Sequence, residues 1–243
     1  MEIEILIKKM KDIYSALIDF IEATDDSDAE FKTLIDILEK QEFLENKDEV
    51  RLLFELISKI TDNHHRTSDF FDKLEKIFQY LIKDIPTSIT YFIPDYTKYN
   101  KRILFLLLEK GFVKLDETFL NHYIKSFYDG EESYISQTCK YLYPKLKVFL
   151  EDEIQKQIEE KILEQYKEEL SIFEAKCRMG ENDSYICSLI RSDSIEEFVA
   201  YVNRTNLSLS IKIKPSFYET NSFLIDKEPT LIEYASFFGS IQI

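Results

Sequence analysis

Four glycines and five prolines are all that 243 residues contain. Sandwiches and barrels need turn-forming residues about every 8 to 12 positions, so this scarcity excludes a mostly β fold. What remains is helix, and the apolar spacing agrees. Ile3, Leu6, Ile7, Met10, Ile13, Tyr14, Leu17, Ile18 and Ile21 recur at steps of three and four, the face of a first helix. Ser27 and Glu30 match a capping box, in which each side chain satisfies a free backbone N–H, and they predict the start of a second helix with Phe31, Leu34, Ile35 and Leu38 inward. Val50, Leu53, Phe54 and Ile57 mark a third. Ser68 as N-cap and Pro86 beyond the end frame a fourth, from Phe70 to Ile82. Pro86 and Pro94 bracket an irregular connection. An apolar helix around residues 103–108 is closed by Gly111, which can turn left-handed without a Cβ clash. From Lys145 to Lys176 the stripe Phe149, Ile154, Ile158, Ile162, Tyr166, Leu170 and Phe173 predicts one long helix. Its steps are mostly four, which breaks a heptad register and argues against a coiled coil.

Composition narrows the functional classes. With 44 % hydrophobic residues the chain can fill a core despite its 32 % charged residues, so it is not a disordered polymer. Forty-six acidic against 31 basic side chains leave a net charge of −15, which repels nucleic acid and anionic lipid. The first residues alternate apolar and charged, unlike a secretion signal. No apolar run approaches the ~20 residues of a membrane span. Cys139, Cys177 and Cys187 are odd in number and form no CxxC pair, so they read as reduced, buried thiols of a cytoplasmic protein.

The C-terminal fifteen residues carry the clearest repeat signal. Thr230, Ala235 and Gly239 fall where the ankyrin unit has its helix-capping threonine, its small packing residue and the glycine between its helices. Leu231 stands in place of the proline and Glu233 in place of the histidine. One unit back, residues 183–191 and 194–202 form a helix pair, with Ser194 and Glu197 as a second capping box. Aligning Asp193 with Gly239 gives a period of 239 − 193 = 46, longer than the roughly 33 of a regular ankyrin unit. The extra length holds Leu207, Leu209, Ile211 and Ile213 alternating with polar residues, the period of a strand or extended finger.

The ordered set Ile57-Ser58-Lys59-Ile60, Asn63-His64-His65-Arg66, residues 180–187, residues 217–223 and Leu231-Ile232-Glu233-Tyr234 resembles a large family of protist ankyrin-repeat proteins. These open with a helical domain of unknown function and continue into many ankyrin units. The resemblance implies an all-α fold, an irregular helical array or α-solenoid leading into ankyrin-type helix pairs. Its expected layout is an N-terminal helical domain over 1–142, a long connecting helix over 143–180 and an ankyrin-type region over 181–243 that stops inside a repeat. It also implies a non-catalytic protein-binding scaffold with an unidentified protein partner, no cofactor and no assigned catalytic residue. Because the last helix pair is cut after its turn, Phe237, Phe238, Ile241 and Ile243 are expected to lack part of their packing.

His64 and His65 near Asp62 and Asp69 are adjacent rather than spaced to share one helix face, so they make a poor metal or acid–base pair. His122 stands alone. Glu131-Glu132 and Glu159-Glu160 read as solvated faces, and Cys187 as a core residue without a base beside it. The alternative to a scaffold is an enzyme whose residues converge only in three dimensions.

Overall fold

A computed structural model describes residues 2–24, 27–64, 66–67, 69–84, 100–112, 134–240 and 242–243. The fold is all-α: twelve α-helices and two 3₁₀ turns, with no β-strand among the described residues. No helix among them is long and apolar enough to cross a membrane. The expected cap Ser68, both bracketing prolines Pro86 and Pro94, and His65, His122, Glu131, Glu132 and Ile241 lie outside the described residues.

The chain divides into two compact units. The first takes Met1–Ile60 and Arg66–Tyr99, the second Thr61–His65 and Asn100–Ile243. In the first unit, α1 (Glu2–Glu22) packs on α2 (Asp28–Lys40) and α4 (Phe70–Asp84), with α3 (Lys47–Asn63) completing the core. The inward stripes of α2, α3 and α4 are those of the sequence: Leu34, Leu38, Leu53, Phe54, Leu74 and Phe78 are buried, and Phe54 stacks on Phe78. Lys73 reaches the carbonyls of Ile21 and Ala23 at 2.9 and 2.6 Å, a cation set against the negative end of α1. Two expectations fail here. Helix α1 leaves Ile3, Ile7 and Tyr14 of its stripe exposed, and it buries Ala16 and Phe20, which the stripe omits. Ser27 stands at the N-cap of α2 but makes no capping bond, because its backbone (φ −75°, ψ 7°) is not in the extended region that aims the side chain at the first-turn amides.

The second unit holds α5 (Lys101–Glu109), α6 (Tyr134–Leu146), α7 (Asp152–Tyr166), α8 (Leu170–Met179), α9 (Tyr185–Arg191), α10 (Ile195–Thr205), α11 (Ser222–Lys227) and α12 (Leu231–Phe238). Helices α5 to α8 close over Phe105, Tyr141, Ile158, Ile162 and Phe173. Helices α9 to α12 close over Cys187, Ile190, Phe198, Leu231 and Tyr234. Lys145 and Arg178 share the carboxylates of Glu109 and Glu174 at 2.7 to 3.3 Å, which ties α5, α6 and α8 together. Gly111 does end α5 at φ 69°, with Phe112 N–H returning to Leu107 O at 2.9 Å.

The single long helix from Lys145 to Lys176 is not formed. Pro144 sits near the end of α6, a 3₁₀ turn spans Lys147–Phe149, and Lys167 breaks the chain at φ 54° between α7 and α8. The stripe survives on two helices: α8 packs on α7, and Phe173 meets Tyr166 at 5.3 Å. Two short helices bury Ile158, Ile162, Phe173 and Cys177 around one core, which a straight rod could not do. The region 143–180 is therefore part of the α5 to α8 bundle and not a connector.

Candidate functional site

The motif segments around residues 180–184 and 216–222 lie far apart in sequence and side by side in the second unit. Gly180 follows α8 at φ 71°, and a Cβ there would sit 2.8 Å from Arg102 Cδ and 3.1 Å from Thr220 Oγ1. Only glycine fits that approach. Thr220 donates its hydroxyl to Gly180 O at 2.7 Å. Glu219, 3 % exposed, accepts three backbone N–H groups: Asn182 at 3.1 Å, Thr220 at 2.9 Å and Asn221 at 2.8 Å. Asn182 donates to Lys214 O at 3.0 Å and accepts from Ser184 N–H at 3.0 Å. Arg191 donates to Asn182 O at 2.9 Å and to the Tyr234 hydroxyl at 2.7 Å, and pairs with Glu181 at 2.7 Å.

The strap 216–222 also reaches the start of α5 and the end of α3. Lys101 donates to Phe217 O, and its ammonium lies 4.9 Å from the ring centres of both Tyr141 and Phe217. Burial pushes this amine down to about 8, against the opposing pull of Cys177 and Glu219. Asn221 caps α11 by accepting from Leu224 N–H and donates to His64 O at 3.3 Å. Asn100 caps α5 and donates to Asp62 Oδ1 at 2.6 Å. The polar groups of this seam are aimed at the chain's own backbone, so its chemistry is to hold segments in place.

The residues expected to define repeats are placed as follows. Thr230 caps α12, accepting from Glu233 N–H at 3.3 Å, while Glu233 accepts from Thr230 N–H at 2.8 Å, a complete capping box. The T-x-x-E spacing carried that signal, although Glu233 is read from the sequence only as a replaced histidine. Ala235 is buried where α12 packs on α9. Gly239 ends α12 at φ 67°. Ser194 and Glu197 do not form the expected box. The Ser194 backbone (φ −83°, ψ 74°) turns its hydroxyl to Ser192 at 2.9 Å, and Glu197 accepts from the Tyr185 hydroxyl at 3.2 Å.

The turns after α9 and α12 share two backbone hydrogen bonds at a fixed offset. Ser194 N–H binds Leu189 O at 3.0 Å and Ser240 N–H binds Ala235 O at 3.0 Å. Asp193 N–H binds Ile190 O and Gly239 N–H binds Ser236 O. Each pair is offset by 240 − 194 = 239 − 193 = 46 residues. Asp193 adopts φ 48°, the left-handed sign of Gly239. The finger is less regular than its alternation implies: one antiparallel bridge joins Lys212 to Thr230, with Ile213 N–H on Pro229 O at 2.8 Å beside it.

Of the remaining candidates, Asp69 pairs with Lys73 at 2.9 Å, and Asp62 is taken up with Asn100. Glu159 accepts from the Tyr143 hydroxyl at 2.6 Å. Burial raises the Cys187 thiol above its ordinary range, which keeps it protonated at neutral pH. Among the described residues no three His, Cys, Asp or Glu side chains are grouped to hold a metal ion. Comparison with protein-family models, curated proteins and solved structures returns no match to this chain.

Proposed function

We propose that the chain is a non-catalytic protein–protein interaction scaffold whose α9 to α12 region is built from ankyrin-type helix pairs. The supporting observation is the turn that recurs at an offset of 46 residues together with the packing of α9 on α12. Repeat units of this kind contact their neighbours and present a continuous surface of helices and fingers to a partner. The partner is a protein, since a chain of net charge −15 repels nucleic acid and anionic membranes. The scaffold reading places it in the cytoplasm, where free thiols such as its three buried cysteines stay reduced. Affinity capture with the whole chain, followed by titration against the purified captured protein, is the test. A saturable complex of fixed stoichiometry is expected. Absence of any saturable protein ligand, with turnover of a small molecule instead, would overturn the reading.

A further inference from the structure

One aromatic cluster of the α9–α10 pair faces solvent. Tyr185, at the start of α9, is 52 % exposed, and its ring meets Tyr201 of α10 at 5.2 Å and 67°. The Tyr185 hydroxyl donates to Glu197 at 3.2 Å, which holds a carboxylate at the edge of the ring pair. The guanidinium of Arg204 lies 5.6 Å from the Tyr201 ring centre. Glu197, Tyr201 and Arg204 sit at i, i+4 and i+7 on α10, so one helix face presents carboxylate, ring and cation in line. The cluster already holds one guanidinium at one of its rings, and the half-exposed ring of Tyr185 beside Glu197 offers the same chemistry to solvent. A π-face next to a carboxylate attracts a cation, and it favours arginine, whose flat guanidinium stacks and donates at once.

We propose that Tyr185, Glu197 and Tyr201 form a docking patch for an arginine side chain of a protein partner, an inference that rests on the scaffold reading and names the chemistry its partner carries. Charge complementarity points the same way, because a basic segment is drawn to a chain of net charge −15. The probe is a capped pentapeptide carrying two arginines, titrated into the whole chain with labelled tyrosine rings followed by NMR, beside its lysine and citrulline counterparts. Saturable shifts at Tyr185 and Tyr201 are expected, strongest with arginine and lost with neutral citrulline. Tyr185→Ala should weaken binding about fivefold or more, and Tyr185→Phe, which keeps the ring, should retain most of it. Circular dichroism of both variants should match the parent, since the side chain is half exposed. Equal affinity of the parent and Tyr185→Ala, or shifts spread evenly over tyrosines elsewhere, would overturn the patch. A captured protein partner that binds Tyr185→Ala as well as the parent would also overturn it while leaving the scaffold reading intact.

Discussion

A carboxylate sealed inside a protein is costly unless its oxygens are occupied, and Glu219 meets that condition with three backbone amides. Removing the carboxylate strands three donors at once, so Glu219→Ala should destabilise the chain by about 3 kcal/mol or more, and Glu219→Gln by less, measured by urea denaturation. An unchanged midpoint for Glu219→Ala would show that the seam contributes nothing to stability. Buried thiols and phenols set the alkaline behaviour with one sign and a buried amine with the other; burial raises the Tyr143 and Tyr234 hydroxyls as it does the thiols. Burial raises Cys139 to about 12 and also raises Cys177 and Cys187, so each folded thiol keeps a proton that the unfolded chain releases near 9. Their contribution to stability is complete below 9 and is lost as pH climbs toward the folded values. Lys101 is lowered to about 8, so between 8 and its ordinary 10.5 the unfolded chain holds the extra proton and stability gains with pH. Thiols and phenols together outweigh one amine. Stability should therefore fall above pH 9, and Lys101→Met should make that fall steeper; a parallel pair of curves would show that Lys101 titrates normally.

At the scale of helices, the break between α7 and α8 is held by a lysine in the left-handed region, a conformation that costs a residue with a Cβ roughly 1 kcal/mol. Lys167→Gly should stabilise the chain by about 0.5 to 1 kcal/mol, read as a rise in thermal midpoint; a drop would mean that the lysine side chain itself anchors the turn. That same residue explains what could not be read from the sequence. Where a helix buries one face throughout, as α3 does with Val50, Leu53, Phe54 and Ile57, spacing alone locates it. Where the chain reverses without glycine or proline, as at Lys167, the cause is the shared core of Phe173 and Tyr166, which no local pattern displays. Capping follows a similar rule. Thr230 and Ser194 carry the same motif, and only the first has the extended backbone that lets it act. The seam was visible as motifs but not as chemistry, since Glu219 binds an amide 37 residues away and Thr220 a carbonyl 40 residues away.

For the molecule as a whole, the charge of −15 makes a prediction that needs no partner. Fluorescence anisotropy with labelled duplex DNA should show no saturable binding even at low salt; tight binding that weakens steeply as salt rises would refute the exclusion of nucleic acid. The strap has a consequence for how the chain is made. Asn221 and Ser222 hydrogen-bond to the carbonyls of His64 and Asp62, and the first of these bonds closes a loop of 157 residues. During synthesis at about 5 to 20 residues per second, the end of α3 must wait roughly 8 to 30 seconds before its acceptor groups meet the strap. Newly made chains therefore pass through a period in which this loop of the second unit is still open, and a ribosome stalled before residue 221 would hold them there.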